Sequence, residues 1–76
     1  MAQTAEEWLA RYAAELGLVP PTEQEIELVL ALAGVAAHAS ERTAAPVTCW
    51  LAARAGTSPQ EALAAGRRLA GEHEGG

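Results

Sequence analysis

Apolar residues recur every three or four positions through most of this chain, in four segments separated by Gly, Pro and hydroxyl residues. This spacing is typical of amphipathic helices that turn one face toward a core. It predicts helices over residues 5–16, 23–39, 46–55 and 59–70. The expected inward face of the first helix consists of Trp8, Leu9, Tyr12, Ala13 and Leu16. The short connections predict an all-α fold, a compact four-helix bundle-like single domain spanning residues 1–76, with an ordered core of about 4–70.

Three of the four helices begin with the same signal, a hydroxyl residue followed three positions later by Glu. The pairs are Thr4 and Glu7, Thr22 and Glu25, and Ser58 and Glu61. In such a capping box the hydroxyl accepts a bond from an unpaired helix N–H, and the Glu accepts one from the capping residue. We therefore expect sharply defined starts for the first, second and fourth helices.

Glycine and proline mark the remaining boundaries. Gly17 is expected to end the first helix in the left-handed conformation, and the third helix is expected to end at Ala55, just before Gly56. Pro46 is expected to begin the third helix, because a Pro at the first helical position loses no hydrogen bond. Gly34 costs about 1 kcal/mol relative to Ala inside the second helix, and close approach of a neighbouring helix is its expected reason. The tail, residues 71–76, is predicted to be disordered.

Composition limits the core that these helices can build. The apolar fraction is 50%, but 19 of those residues are Ala and none is Phe. A chain of 76 residues buries only about 60% of the surface that it exposes when unfolded. Support from a protein partner or from a second copy of the chain is therefore expected.

Charge and targeting signals narrow the class of protein. The net charge is −5, which argues against nucleic-acid binding and against a polybasic membrane anchor. The first residues are acidic rather than basic, and no apolar run is long enough to span a bilayer. A cytoplasmic location is the expectation. The single cysteine permits no internal disulfide.

Polar side chains crowd together at one place, the junction between the second and third helices, residues 38–46. The candidate binding residues are His38, Ser40, Glu41, Arg42 and Thr43, together with Trp50 as a flat apolar wall. One interpretation is a site for an anion or a protein partner, in which Arg42 and free N–H groups of the third helix make the contacts. The other is a helix connection that only supports the fold.

The same residues give little support for a catalytic site or a metal site. Ser40, His38 and Glu41 are residue types of a hydrolytic triad, but neighbours on one helix point in different directions. His38 and Glu41 form only half of a helical metal site, so we expect no metal and no cofactor. Cys49 is expected to be a small buried hydrophobic residue rather than a nucleophile, and Trp8 and Trp50 are expected in the core.

Residues 36–51 resemble a small bacterial domain family of unknown function, together with Trp8-Leu9 and the segment from Ser58 to Leu63. That family is similar to a tail segment attached to molybdenum cofactor guanylyltransferase-like proteins. The resemblance implies a context of molybdenum cofactor maturation, with a maturation protein as partner, but it carries no catalytic residues. The chain itself has no glycine-rich nucleotide loop.

The expected function is that of a non-enzymatic accessory or interaction domain, with residues 38–46 as its binding surface. A purely structural, self-associating helical domain is the alternative. A more remote alternative is a small hydrolase or thiol enzyme that uses Ser40 or Cys49.

Overall fold

The computed structural model describes the backbone of residues 3–75 and the side chains of residues 3–71. Four helices make up this part of the chain, and it contains no strand. They are α1 (Ala5–Glu15), α2 (Glu23–Ala39), α3 (Ala44–Ala55) and α4 (Pro59–Gly75). The all-α prediction is confirmed, and the bounds of α2 are the predicted ones.

All three capping boxes are present. The N–H of Thr4 donates to a Glu7 carboxylate oxygen at 2.8 Å, and the N–H of Glu7 donates to the Thr4 hydroxyl at 3.1 Å. The same reciprocal bonds join the residues that begin α2 and α4. Hydrogen bonds from the Ser58 backbone and side chain hold the pKa of the Glu61 carboxyl below its usual value. Local sequence alone therefore fixes three helix starts.

Two predicted boundaries are wrong. Helix α3 begins at Ala44 rather than at Pro46, which a Pro permits because the first turn of a helix has N–H groups without partners. Helix α4 continues past Ala70 to Gly75. Positive φ angles occur only at Gly17 and Gly56 among the described glycines, so Gly71 does not act as a left-handed stop. The side chains of residues 72–75 and all of residue 76, within the predicted disordered tail, lie outside the described residues.

Helix α2 lies at the centre, with α3 and α4 both packed against it. The core is formed by Leu32 of α2 with Ala62 and Leu63 of α4, and half-buried side chains of α2 and α3 surround it. Leu32 is the most enclosed of these side chains, at 3% exposure. The core is small because one of its three buried side chains is an alanine and the side chains around it are only half-buried.

The close approach between helices occurs at Gly66 and not at Gly34. A methyl group added at Gly66 would lie 2.8 Å from Cδ1 of Leu32, whereas one added at Gly34 would meet nothing within 4 Å. The expectation for Gly34 is therefore wrong. Position 66 lacks a side chain so that α4 can reach the central helix.

Helix α1 lies beside this group of three helices. Its Leu9 is half-buried and shares a groove with Ile26 of α2. Trp8 is 54% exposed, and Tyr12 and Leu16 are exposed as well. The prediction that these residues face a core is wrong, since periodicity identifies an apolar face without supplying the surface that covers it. Trp50 of α3, also predicted in the core, is 59% exposed.

The two helical glycines supply a matched pair of substitutions. Gly34→Ala should raise the free energy of unfolding by roughly 1 kcal/mol, because Ala is the better helix former and meets open space. Gly66→Ala should lower it by about 1 kcal/mol, since displacing buried Leu32 costs about 1–3 kcal/mol and outweighs the gain in propensity. Urea unfolding followed by circular dichroism measures both. Stabilisation by Gly66→Ala equal to that by Gly34→Ala would contradict the close contact.

Candidate functional site

The junction between α2 and α3 is a tight change of direction. Helix α2 ends at Ser40, which has an irregular backbone conformation (φ −139°, ψ −102°) and donates its N–H to the carbonyl of Ala36 at 3.0 Å. Thr43 lies at the cap of α3, but its side chain makes no capping hydrogen bond. Only three residues, 41–43, therefore separate Ser40 from the first residue of α3.

The first N–H groups of α3 are already bonded. The N–H of Ala44 donates to the Glu41 carbonyl at 2.9 Å, and the N–H of Ala45 donates to the Arg42 carbonyl at 3.1 Å. The next residue, Pro46, has no N–H. The first three residues of α3 therefore offer no free donor to an anion, contrary to the expectation from sequence. The remaining cation of this segment is the exposed side chain of Arg42.

The structure does not join the predicted site residues into one hydrogen-bonded cluster. The side chains concerned are all exposed: His38, Ser40, Glu41, Arg42, Thr43 and Trp50. None of them takes part in the side-chain hydrogen bonds formed within residues 3–71. The Trp50 ring lies under a cation of its own helix, with the Arg54 guanidinium 4.8 Å from the ring centroid. Partner binding by these residues stays a prediction.

An apolar cleft of about 380 Å³ opens beside the junction, between the end of α2, the start of α3 and the second half of α4. Among the described residues, only Ser40 and Thr48 bring hydroxyl groups to its wall, which is otherwise aliphatic. The lining residues are Leu32, Val35, Ala36, Ala39, Ser40, Ala44, Thr48, Gly66, Leu69 and Ala70.

The sequence contains a signal for this cleft that the periodicity alone does not reveal. Small residues face it from all three helices, Ala36 and Ala39 from α2, Ala44 from α3, and Gly66 and Ala70 from α4. Where three helices meet, larger side chains would fill the space between them. A concentration of Ala and Gly at such a place leaves a cleft instead.

A basic groove adjoins the cleft along α2 and α4. His38 and Arg67 line this second groove, and Val35, Ala39 and Ala70 are common to both. The cation nearest to His38 in this groove is thus supplied by α4 rather than by Arg42 of the junction. An apolar cavity with His38 and Arg67 on an adjoining wall suits a ligand that is apolar at one end and carries a negative charge at the other.

Cys49 packs at the edge of the core, half-buried. Its Sγ lies 3.8 Å from the Val29 carbonyl oxygen, to which it donates a weak hydrogen bond. Burial raises the pKa of this thiol above its ordinary value. A raised pKa lowers the thiolate fraction, and the thiolate is the nucleophile.

None of the helices formed by residues 3–75 combines the length and the hydropathy needed to cross a bilayer. Within residues 3–71 there is no group of three or more His, Cys, Asp or Glu side chains placed to hold a metal ion.

The fold and these surfaces define a small all-α domain. The family model of DUF6457, a domain of unknown function, matches residues 1–75, and the chain belongs to that family. The match includes all four helices, so α1 is part of the domain. No curated protein and no solved structure matches the chain. None of the matches links it to molybdenum cofactor guanylyltransferases.

The pKa of Cys49 gives a direct test of its reactivity. Alkylation of the folded protein by iodoacetamide should follow a pH profile whose midpoint lies above that of the same thiol in the urea-unfolded chain, because burial raises the pKa. Mass spectrometry of quenched samples measures both rates. A folded-state midpoint at or below the unfolded one would indicate an activated thiol.

Proposed function

We propose that this domain is a non-enzymatic protein-interaction module whose cleft between α2, α3 and α4 receives an apolar side chain of a partner protein. The observation that carries the proposal is the cleft itself, about 380 Å³ with a nearly continuous aliphatic wall. Sites that recognise small groups are concave, mostly apolar and of this order of size.

The chemistry of the wall favours binding over catalysis. Ser40 and Thr48 contribute hydroxyls, but neither forms a side-chain hydrogen bond to a base among the described residues. Transfer of one large aliphatic or aromatic side chain from water into such a cleft contributes about 1.5–3 kcal/mol. One anchor of this size gives weak binding, which further contacts on the rim must strengthen.

Basic residues beside the cleft indicate the charge that a partner would carry. His38 and Arg67 line the adjoining groove, and Arg42 is exposed on the junction. A partner segment with an apolar anchor next to an Asp or Glu fits both surfaces, because the carboxylate would meet the guanidinium groups of Arg67 and Arg42 and accept a hydrogen bond from the His38 ring. Glu41, Thr43 and Trp50 remain predicted peripheral contacts.

The resemblance to a tail segment of molybdenum cofactor guanylyltransferase-like proteins adds a candidate partner, a molybdenum cofactor maturation protein. This expectation comes from the residues that carry the resemblance and from no feature of the cleft. A molybdenum cofactor maturation protein is therefore the first partner to test in the binding experiment.

A photo-crosslinking residue placed at Ala39, on the cleft wall, should capture the partner in cells. The same group at Ala64, an exposed position of α4 that does not line the cleft, is the background control. Leu69→Asp should reduce capture roughly tenfold or more, since it removes apolar surface worth about 1.5–3 kcal/mol from the rim. Mass spectrometry identifies and quantifies the product.

Leu51→Asp supplies the matched control variant. Leu51 and Leu69 are both exposed leucines, on α3 and α4 respectively. Leu69 lines the cleft, whereas Leu51 does not. Equal losses of capture in the two variants, or capture from Ala39 no greater than from Ala64, would overturn the proposal. Circular dichroism confirms that both variants remain helical.

A further inference from the structure

Helix α1 carries an aromatic surface that none of residues 3–71 covers. The rings of Trp8 and Tyr12 lie parallel, with centroids 6.0 Å apart and an interplanar angle of 14°. Leu16 continues the same stripe one turn further along, and all three side chains are at least half exposed. This stripe is remote from the lining of the cleft between α2, α3 and α4.

The chain has enough exposed surface for an interface of standard size. Its accessible area is 6,008 Å², about 1,600 Å² more than the roughly 4,400 Å² expected of a compact folded protein of 7.9 kDa. A standard interface removes about 800 Å² from each partner.

The charges beside the stripe complement a second copy of the same helix. Arg11 and Glu15 line a groove together with Trp8 and Tyr12. Trp8 and Leu16 lie equally far from Tyr12 along the helix, about 6 Å on either side. A two-fold axis through Tyr12 would therefore set the Trp8 of each copy against Leu16 of the other. It would also bring Arg11 of each copy to about 3 Å along the axis from Glu15 of the other.

We infer that the Trp8–Tyr12–Leu16 face of α1 is a homodimer interface, in which two α1 helices pack antiparallel around Tyr12. Stacked aromatic side chains at the centre bury large area at low entropic cost, as is typical of interface hot spots. The paired opposite charges at the edge fix the antiparallel register. The inference does not depend on the cleft or on its proposed partner.

Sedimentation equilibrium over about 1–100 μM tests the dimer directly. The wild-type chain should sediment as a dimer at the upper concentrations. Trp8→Arg and Tyr12→Arg should each raise the dissociation constant about thirtyfold or more, as loss of a central aromatic residue does. Trp50→Arg is the matched control, because Trp50 is an equally exposed tryptophan on α3, and it should leave the dimer intact.

A charge exchange tests the register without removing apolar surface. Arg11→Glu and Glu15→Arg should each weaken the dimer, and the double variant should restore it, because only the double variant pairs opposite charges again. Circular dichroism checks that every variant keeps its helix content.

Three outcomes would overturn the inference. They are a monomeric wild-type chain at about 100 μM, dissociation by Trp50→Arg but not by Trp8→Arg, and a 1:1 complex with a different protein on α1. The Leu69→Asp variant should remain dimeric. Failure of the dimer and failure of the cleft proposal are therefore separate results.

Discussion

The contact of Leu32 with the bare backbone at Gly66 brings α4 against the central helix, and most of the buried structure depends on it. Leu32 is 3% exposed, and a methyl group added at Gly66 would lie only 2.8 Å from its Cδ1. Ala62 and Leu63 of α4 complete the core around it. Helix α3 also packs against α2, and its Cys49 and Ala52 contact the same core. A chain in which half of the apolar residues are alanine can bury a core only where its helices approach this closely.

That constraint explains why so much apolar surface remains exposed. Small residues packed closely together form only a small core. Helices α2, α3 and α4 already enclose it, so the aromatic face of α1 stays exposed to solvent. The capping boxes at Thr4, Thr22 and Ser58 stabilise the helices locally, by about 1 kcal/mol each, but they bury no apolar area. Apolar surface therefore stays exposed on α1 and in the cleft. We propose that a second copy of the chain covers the first of these surfaces and that a partner side chain fills the second.

The sequence predicted those features that depend on a few neighbouring residues. Each capping box fixed a helix start because both of its hydrogen bonds lie within four residues, and Gly17 and Gly56 ended their helices as expected. Residue types alone predict the close helix approach at Gly34 instead of Gly66, because both glycines lie in apolar helical segments and only the packing distinguishes them. The prediction that Trp8 lies in the core fails for a similar reason. At the junction, the bonds from Ala44 and Ala45 to preceding carbonyls depend on backbone angles that residue types do not specify.

The two proposed surfaces use different elements, so the domain can associate with itself through α1 while its cleft holds a segment of another protein. Contacts between molecules then supply part of the stability of the folded chain. The dependence of the thermal unfolding midpoint on protein concentration measures this contribution, because association that involves only the folded state stabilises it by mass action. We expect a midpoint that rises steadily with concentration. A midpoint independent of concentration would mean that the folded chain gains no stability from association.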